Sequence, residues 1–400
     1  MRHRPMGSAT AAALVALALV SLLACRPGAA FAAPPPAPLP SPDAPVFTVG
    51  TAGCDFRTIA EAVAASPAGG VLELVERLYT EGGLVIDRDL FVRGAHPQGT
   101  IVQAGTSLDT STDRVASIAA GATVVLQDLT LRYGHPRGDC PRGGGALINY
   151  GTLWMARCTL CDSIGQCGGG LLNRDGDAYL FDCAIVRNEA DGGFAETGLR
   201  GMGAGGGVKN AVGTLWMERC TLAWNTARKK GGAVKNCCLA TMTMRNCTVV
   251  GNRCVSGGVH LNGTALLDHC TITGNLAPLS HGAGVYVDSP SVLRNCIVAG
   301  NSLGDVTIEF DADGADARIE NVWIGDGRCP LAAFTGDPLL GPLADNGGLT
   351  WCCPLRPGSP AIDAGILLEG GPLVDQRGLP RVCGGAPDLG AVETQEEDGS

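Results

Sequence analysis

Aromatic and charged residues are scarce in this 400-residue chain: 4% Phe, Trp and Tyr, and 17% Asp, Glu, Lys and Arg. Any core must therefore be filled with small and medium aliphatic side chains. Long stretches of Ala, Leu, Glu and Lys are also lacking, and 59 glycines punctuate the chain, a composition that is costly in helices. No apolar run has the length of a membrane span; the longest, Ala9 to Ala24, is too short. Basic residues are outnumbered 29 to 39, giving a net charge of −10. That balance argues against a nucleic-acid partner and against direct attraction to anionic lipid.

What the chain does contain is a repeat. Six cysteines, Cys158, Cys183, Cys220, Cys247, Cys270 and Cys296, each open a Cys-Thr-Leu-like triplet and recur at 23 to 37 residues. Self-similarity on that scale marks a solenoid. Aligned on this frame, the position three before the cysteine reads Leu126, Met155, Leu180, Met217, Met244, Leu267, Leu293, Ile319. The position two after it reads Leu131, Leu160, Ile185, Leu222, Val249, Ile272, Val298, Ile324. Residues two apart on a strand share a face, so the cysteine and the second aliphatic point inward and the Thr between them points out. The odd spacing back to the Met/Leu column breaks this alternation and needs a corner. A third strand per rung comes from the segments Gly144-Gly-Ala-Leu-Ile-Asn149, Gly168 to Asn173, Gly205 to Asn210, Gly231 to Asn236, Gly257 to Asn262 and Gly282 to Val287. Three short strands per turn predict an all-β, parallel β-helix over residues 46–335. Gly and Asn suit its bends because both tolerate positive φ. Asn188, Asn225, Asn252, Asn275 and Asn301 fall in one column and are expected to form an amide ladder, at about 4.8 Å per rung.

The inward cysteines have parallel Cβ vectors, a poor geometry for a disulfide, and are read as buried thiols. Better disulfide candidates lie in turns, among them Cys54, Cys140, Cys167, Cys254, Cys329 and Cys383. Cys158 and Cys161 have zinc-like spacing, but Cys158 belongs to the inward column and no histidine lies close.

The start, Arg2-His3-Arg4 followed by the apolar run, reads as a signal peptide over residues 1–32 and predicts export. Two processing sites compete: Ala30-Phe31-Ala32, which is preferred, and Leu22-Leu23-Ala24-Cys25, which would make Cys25 a lipidation site. Cleavage after Ala32 leaves 26 basic against 39 acidic residues, a net charge of −13. Residues 33–45, with seven prolines, form an extended linker. Thr58 to Ala65 has helical apolar spacing and is expected to cover the open N-terminal end of the solenoid.

This entry segment resembles that of pectate-lyase-like right-handed β-helices. The far end reads Gly336-Asp-Pro-Leu-Leu-Gly-Pro-Leu-Ala-Asp-Asn-Gly-Gly-Leu-Thr350, then Pro357-Gly-Ser-Pro-Ala-Ile-Asp-Ala-Gly365, Asp375-Gln-Arg-Gly378 and Asp388-Leu-Gly-Ala-Val-Glu393. It resembles the C-terminal region of bacterial choice-of-anchor Q domain proteins, which carry right-handed parallel β-helix repeats. The Gly-Gly-Ala-Leu/Val and Leu-x-x-Asn pairs are more weakly similar to chlamydial polymorphic outer-membrane protein repeats. The resemblance implies an exported surface protein, a C-terminal cap over residues 336–393 and an acidic tail over 394–400, and it assigns no catalytic residues. No sorting signal follows Glu393, so attachment is expected through Cys25 or a partner. Asp363, Asp375, Arg377, Asp388 and Glu393 read as turn-fixing and ion-pairing residues.

Many β-helices cut acidic polysaccharides, so catalysis needs weighing. The outward positions just before the cysteine column, Arg157, Asp182, Arg219, Asn246, His269 and Asn295, are mixed, and no rung pairs two acids with a base. No catalytic residue is assigned. The expectation is a monomeric binding or adhesion scaffold for a glycan or cell-surface protein, secreted or held at the surface. A polysaccharide lyase or hydrolase is the alternative, and a structural envelope component the third reading. The insertion Glu189 to Met202 makes Phe194, Glu196 and Arg200 the candidate binding residues. Asp311, Asp313 and Asp316, around Gly314, are candidate Ca²⁺ ligands, the one cofactor the sequence suggests, although a solvated acidic turn is the preferred reading.

Overall fold

Each rung must bend between the Met/Leu column and the cysteine column, and the bend is a single residue in left-handed conformation. Asp128, Arg157, Asp182, Arg219, Asn246, His269, Asn295 and Asn321 occupy it in successive rungs, with φ between 50° and 57°. Asn serves this corner as expected at three of the eight positions, glycine serves the bend that opens face 3, as at Gly144, Gly168 and Gly205, and Asp, Arg and His take the remaining corners. Side-chain pairing accompanies the strain: Arg157 binds Asp128 through two bonds of 2.7 and 2.8 Å, and Arg219 binds Asp182 at 2.8 and 3.0 Å. These side chains are therefore paired along the axis and not scattered.

A computed structural model describes residues 31, 33–137, 143–192, 203–278, 282–309 and 317–395. Residues 36–400 form one compact unit. It is a right-handed parallel β-helix with three faces. Face 1 carries the Met/Leu column, as in Thr152–Ala156 and Asp177–Phe181. Face 2 follows the corner and is a ten-stranded sheet running from Leu78–Thr80 to Trp323–Ile324. Face 3 is built from the glycine-led segments, as in Leu147–Asn149 and Val259–Leu261. In Val208–Glu218 and Val234–Arg245 the strand runs unbroken through the bend from face 3 to face 1, so the two faces share one hydrogen-bonded sheet.

Register follows the repeat frame in both aliphatic columns, with one bulge between Asn210 and Val212 at the bend from face 3 to face 1. Leu126, Met155, Leu180, Met217, Met244, Leu267, Leu293 and Ile319 pair in order across face 1. Leu131, Leu160, Ile185, Leu222, Val249, Ile272, Val298 and Ile324 do so across face 2. The core is one continuous aliphatic and thiol cluster from Val49 to Cys329.

The six ladder cysteines are at most 1% exposed. Five of the thiols donate to carbonyls of the previous rung, as Cys247 Sγ to Met217 O at 3.5 Å, and Cys183 donates to Phe181 O in its own rung at 3.2 Å. Burial raises the pKa of Cys183, Cys247 and Cys296, which suppresses the reactive thiolate. In native protein a thiol-reactive aromatic disulfide should therefore label half-buried Cys54, Cys167 and Cys383 within minutes. The six ladder thiols should appear only after denaturation, a difference that mass spectrometry of the labelled peptides resolves.

Asn188, Asn225, Asn252, Asn275 and Asn301 form a directional ladder. Each amide Nδ2 donates to the Oδ1 of the next, at 2.9 to 3.1 Å, and the last donates to Asp305 Oδ1 at 2.9 Å. A second ladder, Asn149 to Asn173 to Asn210 to Asn236, lines the end of face 3 at 2.8 to 2.9 Å.

The ends are closed differently. Helix α1, Ile59–Ala65, buries Ile59, Ala62 and Val63 against the first rung and is held by a capping box between Thr58 and Glu61. At the far end Cys329 and Ala332 pack on the core, while Trp323 bridges to Phe334. Residues 336–395, expected as a cap, run back along the outer side of face 2. Among the described residues no helix is long and apolar enough to cross a membrane.

Candidate functional site

The outward Thr column decides what face 2 can do. Thr130 and Thr159 stay half-exposed, whereas Thr221, Thr248 and Thr271 are buried beneath the C-terminal segment. Thr248 donates to Gln376 Oε1 at 2.6 Å, and Gln376 Nε2 donates to Thr221 and Thr350 at 3.0 Å each. Thr271 Oγ1 accepts from the backbone of Ala391 at 2.9 Å, and Asn246 accepts from Arg381 and donates to Val374 O.

The acidic residues of this segment substitute for missing secondary structure. Asp375 accepts from the backbone of Arg377, Leu379 and Glu393. Asp388 accepts from Asp363 and Thr394, and Glu393 from Cys383 and Asp388. Burial pushes Glu393 up to about 7, while these two N–H groups and Arg381 at 3.7 Å pull the other way. These carboxylates fix the turns of an irregular segment; none points at an open cavity.

One open groove of about 600 Å³ lies where rungs near the C-terminal end meet the start of this segment. Thr273, Asn301, Asp305, Asp326, Asp337 and Leu340 line it, with small residues between, and no basic side chain is among the described lining residues. Asp305 is 2% exposed and sits on the groove floor. Its Oδ1 accepts from the backbone and amide of Asn301, and its Oδ2 accepts from the backbone of Asp326 at 2.8 Å. Asp326 Oδ2 returns a bond to Asp305 N at 3.1 Å. Burial, and to a smaller extent the charge of Asp326, raise the Asp305 pKa against the pull of these donors. Three donors on two oxygens identify it as an acceptor that ends the amide ladder, with no proton positioned for transfer. Asp337 lines the groove, and its Oδ1 accepts from Leu339 N at 2.8 Å. Arg328 reaches the rim, 3.9 Å from Asp326, with 72% of its side chain exposed.

Two other clusters are closed. Trp154 stacks on Tyr179 at 4.3 Å outside face 1, and Arg245 lies 5.0 Å over Trp216, yet these rings are at most 8% exposed and offer no sugar-stacking platform. On face 3, His260 stacks on Tyr286 at 4.6 Å and stands 3.6 Å from Asp288. It is fully buried, and burial lowers its pKa to about 4. No substrate reaches it.

Phe194, Glu196, Arg200, Asp311, Asp313, Asp316 and Cys25 lie outside the described residues. Among the described residues no group of three His, Cys, Asp or Glu side chains is placed to hold a metal. The groove carboxylates were not legible as a site. Asp305, Asp326 and Asp337 share no repeat position; stacking of the last rungs joins the first two, and the return of residues 336–340 adds Asp337.

No family model and no curated protein sequence matches the chain. Among solved structures it is similar to the crystal structure of pectate lyase Pel9A, covering 84% of this chain and 90% of that one at 15% identity, with a TM-score of 0.49.

Proposed function

We propose that this is an exported bacterial β-helix protein of the choice-of-anchor Q kind, secreted or held at the surface, that acts as a non-enzymatic binding scaffold with the Asp305–Asp337 groove as its ligand site. The observation that carries this reading is the groove's lining: carboxylate and amide acceptors on a rigid frame, with no basic side chain among the described lining residues and Arg328 only at the rim. Sugar hydroxyls are donors and satisfy such acceptors, whereas a uronic-acid chain would bring like charge. Neutral or amino-sugar glycans are therefore the favoured class. Catalysis is disfavoured because the buried member of the acid pair is saturated with backbone and amide donors.

A glycan array probed with the processed chain tests this reading. Binding to neutral or amino-sugar glycans should weaken at least about tenfold in Asp337→Ala, a loss of ~1.4 kcal/mol. Release of unsaturated products from uronic-acid polysaccharides, abolished by Asp326→Asn, would instead establish the lyase alternative. Processing that is sensitive to globomycin and to Cys25→Ala would place the anchor at Cys25.

A further inference from the structure

Residues 336–395 contain only isolated bridges, Leu340 to Leu355, Ala344 to Cys352 and Val374 to Pro380, and owe their shape to carboxylate–backbone bonds. Cys352, Ala391 and Val392 form an apolar cluster of their own, separate from the β-helix core. The seam against face 2 is mixed: Thr hydroxyls, Gln376, Arg381 and Asn246 make its polar part, and Leu355, Ala361 and Leu389 pack on Ile297, Ala299 and Trp323 in its apolar part. Water can replace the polar contacts group for group, and among the described residues the segment has no ladder of backbone bonds to the rungs, so it resists separation less than one rung does from the next. The groove straddles it: Asn301, Asp305 and Asp326 come from the rungs, and Asp337 and Leu340 from the segment.

We infer that the C-terminal segment is a clasp that opens as one unit beyond Gly336 while the β-helix stays wound, and that docking of the clasp is what builds the groove. Gly336, with φ of 95°, marks the last tie to the rungs before the clasp: its N–H donates to Gly325 O at 3.0 Å and its carbonyl accepts from Trp323 Nε1 at 2.8 Å, so the swing begins beyond it. Ligand capture in the groove rests on the function proposed above; the clasp motion does not.

Native-state hydrogen exchange on the full chain tests it without any ligand. The clasp reporters are Gln376 N, bonded to Ala391 O at 2.9 Å, and Leu389 N, bonded to Ala361 O at 3.0 Å. The rung reporters are the amides of Thr248 and Thr271, bonded to Cys220 O and Cys247 O. In the parent, clasp amides should exchange at least about a hundredfold faster than rung amides. Thr248→Val, an outward isosteric change, and Gln376→Ala should each speed the clasp amides about tenfold further and leave the rung amides unchanged. Equal rates in the parent, or clasp and rung amides shifting together in both variants, would show one cooperative unit and overturn the clasp. Either result leaves the binding reading to be judged on glycan binding alone.

Discussion

Asn252→Ala should destabilise the protein by about 4 kcal/mol in urea unfolding, far more than an ordinary surface substitution. Asn252 is fully buried in the middle of the ladder. Its Oδ1 accepts from the backbone and amide of Asn225 at 2.9 Å each, and its Nδ2 donates to Leu222 O at 2.9 Å and to Asn275 Oδ1. Truncation orphans a buried N–H, an amide hydrogen and a carbonyl at once, and the aliphatic core beside them supplies no replacement. At the half-exposed end of the ladder water can substitute, so Asn301→Ala should cost only about half as much. Equal losses at the two sites would mean that the ladder is not the source of the stability.

Asp268→Asn is the second large effect, and it shrinks in acid. Asp268 is fully buried and faces His269 at 2.8 Å, Arg294 at 2.9 Å and Arg245 at 3.5 Å. Burial pushes its pKa up, but the His269 bond and Arg294 outweigh burial and hold the carboxyl at about 2. The ordinary value is 3.8, so the ionised form is favoured by folding. Its contribution is complete above pH 4 and is lost as the pH falls through 2, about 2 kcal/mol in all. At pH 7 the substitution should cost about 3–4 kcal/mol, because two guanidinium groups lose a buried partner. The gap between parent and variant should then narrow by about 2 kcal/mol between pH 4 and pH 2, as read from denaturation midpoints. A gap independent of pH would show that Asp268 is not ionised in the native state.

The parts of this architecture that were legible are those that repeat once per rung. Met217, Cys220 and Leu222 each have a counterpart one strand above and below, so simple alignment gives their register, and the β-helix follows. The second amide ladder was present in the same way, in the Asn that closes Leu171–Asn173 and Val234–Asn236, but its hydrogen-bonding role needed the fold to be seen. The bends were only half legible. Composition favoured Gly and Asn, whereas Arg157, Arg219 and His269 accept the left-handed conformation and form side-chain bonds along the axis.

The path of the C-terminal segment was not legible at all. Gln376 meets Thr221 across 155 residues, Ala391 meets Thr271 across 120, and neither contact belongs to any period. The acidic groove shares that origin. Asn301 and Asp305 already meet in the rungs, but Asp337 joins them only through one aperiodic return of the chain, which no column of the repeat encodes.

The amide ladder has one further implication, for the size of the molecule. All five carboxamides hand their hydrogens in the same direction, so a new coil inserted between any two would find a donor behind it and an acceptor ahead. Growth by duplication is therefore permitted anywhere within the stack. Stopping is different, because the last amide needs a group that only receives. Asp305 meets that need, and the amide ladder closes there although one more coil, through Ile319 and Ile324, follows.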